Sequence, residues 1–86
     1  MSYIHELFTG GRNAVITVEL NKQANVYLLD QLNYSAFRRG ARFKHFGGRQ
    51  VQTVAQFSPP RHAHWHVVVV PDPGSSVRAS ISVDAA

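Results

Sequence analysis

The chain has 86 residues, no cysteine, five histidines, and nine Lys and Arg against five Asp and Glu, for a formal charge of +4. A chain this short fills one hydrophobic core and buries roughly 60–65% of its unfolded surface, so residues 1–86 are expected to form a single domain. Lack of cysteine excludes disulfides, thiolate nucleophiles and Cys-ligated metals, no stretch approaches the ~20 apolar residues of a membrane-spanning helix, and "MSYIHELFTGG" lacks the flank and apolar run of a signal peptide; the expectation is a soluble, cytoplasmic protein.

Period-two alternation, the mark of half-buried strands, recurs along the chain. The opening Tyr3–Phe8 is expected to form an edge strand. In "AVITVEL", Ala14, Ile16, Val18 and Leu20 share one face and Val15, Thr17 and Glu19 the other. "NVYLLD" (Asn25–Asp30) is apolar on both faces, which suits a central, covered strand. "DQLNYSAFRRG" offers Asp30 as N-cap, no internal Gly or Pro, two terminal arginines and a closing Gly40, which predicts a short helix around 31–39. "FGG" then reads as a turn. "RQVQTVAQF" (Arg49–Phe57) reads as one strand with Val51, Thr53, Ala55 and Phe57 inward. "HAHWHVVVV" (His62–Val70) starts amphipathic and ends apolar, bounded by prolines. "VRASISV" closes the chain with Val77, Ala79, Ile81 and Val83 opposite Arg78, Ser80 and Ser82. The predicted fold is mainly β: a small antiparallel β-sandwich or barrel of five to six strands with one short helix.

Three histidines, His62, His64 and His66, stand at every second position of the His-Trp strand, opposite Ala63, Trp65, Val67 and Val69. Two neighbours lie about 6.6 Å apart along a strand and can share one ion, whereas the outer pair lie about 13 Å apart and cannot. No recognisable spacing supplies further ligands from His5, His45, Glu6, Glu19 or Asp30. The expected placement of the three rings is therefore the solvent face or margin of the sandwich, with metal binding by two of them as an alternative. Their protonation at about pH 6 would add repulsion on one face. No nucleophile elbow, carboxylate pair or phosphate loop appears, so no catalytic residue and no cofactor is expected.

Between Tyr34 and Arg49 the chain interleaves Tyr34, Phe37, Phe43 and Phe46 with Arg38, Arg39, Arg42, Lys44 and Arg49 and holds no acidic residue. Cations and ring faces together are what single-stranded nucleic acid requires. The competing expectation is that Phe37, Phe43 and Phe46 anchor a loop to the core while the arginines face water.

The run "ANVYLLDQLNYSAFRRGARFKHFGG", followed by "SPPRHAHWHVVVV" and "SSVRASISV", resembles a small bacterial family, domain of unknown function 1883, from about Gly10 to Val83. The shared parts are a strand ending in Leu-Asp before Asn-Tyr, the Gly-Gly pair, the His-Trp strand and the closing Val-Arg strand. That family's pattern has Gly before the His-Trp pair and Asp after the valines, where this chain has Ala63 and Pro71. The resemblance implies a mainly β domain with no assigned activity and no catalytic residue to carry over. Some relatives resemble a fusion ahead of a TIR signalling domain, which implies sensing or protein recruitment. His64 and Trp65 match the most distinctive motif, and Trp65 on an apolar strand face is expected to anchor the core. The resulting expectation is a non-enzymatic binding, sensing or accessory module of the bacterial cytoplasm, acting on an unidentified protein or small ligand. Its candidate binding residues are His62, His64, His66, Arg38, Arg39, Arg42, Lys44 and Arg49. The alternatives are a polyanion or single-stranded nucleic-acid binder through 34–49, and a metal-binding protein.

Overall fold

A computed structural model describes residues 3–85; Met1, Ser2 and Ala86 lie outside it. The described residues form seven strands and one helix: β1 (Ile4–Gly10), β2 (Ala14–Leu20), β3 (Ala24–Asp30), α1 (Gln31–Arg38), β4 (Phe46–Gln50), β5 (Val54–Phe57), β6 (Ala63–Pro71) and β7 (Ala79–Ala85). They make two antiparallel sheets, one ordered β1-β6-β3-β4 and the other β5-β2-β7. The predicted sandwich with one short helix is what forms, with β1 at a sheet edge.

The alternation in the sequence explains the packing. Ile16, Val18 and Leu20 of β2 face Ala24, Val26 and Leu28 of β3 and Trp65, Val67 and Val69 of β6 across the gap between sheets. Trp65 is fully buried there, and its indole N–H donates to the carbonyls of Gly10 and Arg61, each at 3.2 Å. The outer face of the three-stranded sheet carries Thr17, Glu19, Ser80, Ser82 and Gln56 and is wet, as the polar alternation requires. The outer face of the four-stranded sheet is covered by α1 over its centre, while Leu7 and His64 remain exposed beside it. Leu29 and Val68 pack there under Tyr34 and Phe37 of α1, which is why β3 and β6 are apolar on both faces.

Helix α1 is bounded by its own side chains. Asp30 Oδ1 accepts the Asn33 backbone N–H at 2.9 Å, the N-cap bond. At the other end Gly40 has φ 72°; the N–H of Gly40 donates to Phe37 O at 3.1 Å and that of Ala41 to Ala36 O at 2.9 Å. Those paired bonds are a Schellman ending, which needs a residue that tolerates positive φ.

Two expectations require correction. The segment Arg49–Phe57 is not one strand: β4 ends at Gln50, the chain crosses between sheets, and β5 starts at Val54 in the other layer. Val51, expected inward, is 72% exposed on the crossing. The Gly47-Gly48 pair is not a hairpin turn either but lies inside edge strand β4, with φ of 84° and 136°. A Cβ at Gly47 would collide with the Val26 carbonyl and press on the Phe57 ring, so glycine here lets one sheet close on the other. The strand count rises from five or six to seven for the same reason, together with edge strand β1.

Candidate functional site

The end of the sandwich where β3 runs into α1 gathers aromatic and charged side chains. Asp30, extended at φ −76° and ψ 175°, turns the chain from strand to helix and leaves its second carboxylate oxygen free to accept from Arg61 Nη2 at 3.1 Å. Arg61 comes from the Pro-rich loop before β6, and its guanidinium lies 5.0 Å from the centroid of the Trp65 ring. After the Schellman turn, the loop 41–45 is pinned to the first turn of α1 by the Lys44 backbone N–H, which donates to Asn33 Oδ1 at 2.8 Å. Phe46 opens β4 opposite Leu28 and meets Trp65 edge-on, ring centroids 6.1 Å apart.

These elements enclose an open groove of about 570 Å³. Phe46 and the half-buried Phe43 supply its apolar surface above the buried Leu28 and Trp65, and Asp30, Asn33, Lys44, His45 and Arg61 its polar rim. Phe46 is 48% exposed, although apolar. The only ion pairs among the described residues are Arg61–Asp30 and Arg49–Asp72, so the Lys44 ammonium has no carboxylate partner there. Hydrogen bonds, first from the Asn33 backbone and then from the side chains of Asn33 and Arg61, hold the Asp30 carboxyl below the usual carboxylate range against the opposing effect of burial. It is an anion at neutral pH, already engaged on two sides.

A second cluster lies under α1. His66 is only 4% exposed and lies 2.8 Å, nitrogen to nitrogen, from His5 of β1. The Tyr34 ring stacks over both, with centroids 4.0 Å from His66 and 4.4 Å from His5.

The predicted site residues therefore disperse. The expectation that the three histidines line the solvent face or margin fails for His66, which is buried by the helix that sequence periodicity could not place over β6. His64 is on the same face but exposed, with Nδ1 2.7 Å from Thr9 Oγ1. His62 precedes β6 and borders a separate open pocket of about 750 Å³ with Gly11, Arg12 and Asn13. No group of three or more His, Cys, Asp or Glu positioned to hold a metal ion occurs among the described residues. Of the cations, Arg38 and Arg39 end α1, Arg42 and Lys44 are on the following loop, and Arg49 on β4 is held by both oxygens of Asp72. That pairing raises the Arg49 pKa and lowers that of Asp72. Tyr34 and Phe37 are core, and Phe43 packs edge-on against Phe37 and Tyr27. Of the four rings in the segment, Phe46 is the most exposed, and the half-buried Phe43 lines the same groove.

Arg61, Asn33, Gln31 and the role of His5 were not legible in the sequence. The alternation of β1 does put Tyr3, His5 and Leu7 on one face, but only the register His5↔Val68 and Leu7↔His66 brings His5 beside His66.

A family profile described as "Domain of unknown function (DUF1883)" matches residues 1–86, and the chain belongs to that family. No curated protein and no solved structure matches the chain.

Proposed function

We propose that this member of the family is a non-catalytic binding module that takes a small planar anion in the groove between α1, β4 and the loop before β6. The observation that carries the reading is the exposed Phe46 ring and the carboxylate-free Lys44 ammonium on one apolar-floored groove. Binding sites for small molecules combine that kind of apolar wall with a few convergent polar groups. A flat ligand would lie against Phe46, its charged group toward Lys44, which acts as a point charge for phosphate or carboxylate. Arg61 is occupied by Asp30 and by the Trp65 face, so it serves as a wall. Asp30 is occupied too, which supports binding over proton transfer.

A polyanion would use the same segment differently, through Arg38, Arg39, Arg42 and several stacked rings. With one exposed ring and Arg49 engaged by Asp72, the segment suits a ligand of one ring better than a strand. The test is an amide-resolved NMR titration of labelled protein with phenyl phosphate and with a single-stranded oligonucleotide, at about 50 and 200 mM salt. Saturable shifts at Asn33, Lys44, Phe46 and Arg61 with phenyl phosphate are expected. Shifts confined to Arg38, Arg39 and Arg42, and only with the oligonucleotide, would replace this reading with the polyanion one.

A further inference from the structure

The histidine pair under α1 belongs to a continuous hydrogen-bonded chain whose proton positions follow from its end. Gln31 turns its amide nitrogen to Ser35 Oγ at 3.4 Å, which leaves its oxygen 2.7 Å from His66 Nε2. An amide oxygen only accepts, so His66 carries its hydrogen on Nε2 and offers Nδ1 as an acceptor. That Nδ1 faces His5 Nε2 at 2.8 Å, so His5 donates there and its own Nδ1 accepts from the Tyr34 hydroxyl at 3.3 Å. Tyr34 in turn accepts from the Tyr3 hydroxyl at 3.2 Å. Every donor is used once, and both imidazoles are neutral.

Added protons strain this arrangement in a definite order. His5 Nδ1 can take one if Tyr34 reverses its hydroxyl toward Tyr3. A second has only His66 Nδ1, where two N–H groups would then oppose each other across 2.8 Å, in rings 5.0 Å apart at their centroids. Burial is the first cause that holds both histidines below the ordinary imidazole value. For His66, the neighbouring His5 adds to that effect and Asp30 opposes it. For His5, Glu6 on its own strand opposes it and Arg38 of α1 adds to it. Burial also pushes the Tyr34 hydroxyl up, so it stays protonated; β3 contributes apolar Leu29 opposite His66.

We propose that His5, His66, Tyr34 and Gln31 form an acid-sensitive latch: neutral rings hold α1 on the four-stranded sheet, and double protonation releases it from Leu29 and Val68. Because the folded-state pKa values are lowered, the released form binds protons more tightly. The latch is therefore closed above the ordinary imidazole value and opens as pH falls below it.

The experiment is imidazole-nitrogen NMR combined with amide hydrogen exchange on the full chain between about pH 8 and 4.5. The expected result is two Nε2–H tautomers at high pH, both rings titrating below the ordinary value, and a severalfold loss of protection in α1 relative to β3 and β6 once both are charged. Tyr34→Phe, which keeps the stacked ring and removes the hydroxyl that would accept from protonated His5 Nδ1, should move the His5 titration further downward. Titration of both rings at or above the ordinary value, or unchanged α1 protection with both charged, would overturn the latch. So would an Nδ1–H tautomer at His66.

Discussion

Asp30 and Arg61 are joined at 3.1 Å by the same carboxylate that caps α1, so one side chain ties the helix start to the loop that precedes β6. The cap and the ion pair use different oxygens and can be separated by substitution. Asp30→Asn keeps an acceptor for the Asn33 N–H but weakens the bond to Arg61. Asp30→Ala removes both and should cost about 1 kcal/mol or somewhat more in urea unfolding, the ordinary scale of a lost N-cap. Asp30→Asn should cost clearly less, because a partly exposed ion pair adds little. Equal losses would mean that the contact with Arg61, not the cap, carries the effect.

Glycine positions offer a sharper contrast. Gly40 and Gly47 both have positive φ, but a Cβ at Gly40 meets nothing within 4 Å, whereas one at Gly47 meets the Val26 carbonyl and the Phe57 ring. Gly40→Ala should therefore lose only the backbone preference, about 1–2 kcal/mol. Gly47→Ala adds a steric clash between sheets and should be the more damaging by thermal unfolding. The reverse order would contradict the β4 geometry.

Stability should fall in two steps on acidification. His5 and His66 have lowered pKa values, so their contribution is complete above the ordinary imidazole value and is lost as pH drops below it. Asp30 also has a lowered pKa, so its contribution is present above the ordinary carboxylate value of 3.8 and disappears below it. Urea midpoints measured across the acid range should show both steps. Asp30→Asn should diminish the lower step and deepen the upper one, since it removes the charge that opposes the lowering at His66.

In the groove, the two residues that carry the binding reading should respond differently from a nearby cation. Phe46→Ala should weaken phenyl phosphate binding by roughly two- to tenfold, the worth of an aromatic contact of about 0.5–1.5 kcal/mol. Lys44→Ala should weaken it as well, and more at low salt than at high. Arg49→Ala should leave it unchanged, since that guanidinium is held by Asp72. Calorimetric titration of the three variants decides the matter.

Much of the fold was legible because it rests on local pattern. The alternation in Ala14–Leu20 and the cap-to-glycine span from Asp30 to Gly40 each specify an element without reference to the rest of the chain. The break between Gln50 and Val54 was not legible, since alternation continues unbroken through residues that no sheet covers. Gly47 shows the same limit: a Gly-Gly pair marks a turn by frequency, but here the Phe57 ring needs the space. The site was less legible still. His66 sits on what looked like the wet face of its strand, and only the docking of α1 reverses that. Lys44 and Phe46 drew notice through composition, whereas Arg61 and Asn33 joined them only through contacts between distant loops.

The most direct test of the groove uses Trp65, the chain's one tryptophan, whose buried ring lies in contact with Phe46 and Arg61 of the groove. Its emission should change saturably as phenyl phosphate is added, and the change should vanish in the Lys44→Ala, Phe46→Ala double variant while the unfolding temperature holds. An emission that stays flat in the wild-type protein, or a change that survives in the double variant, would contradict the groove as the binding site.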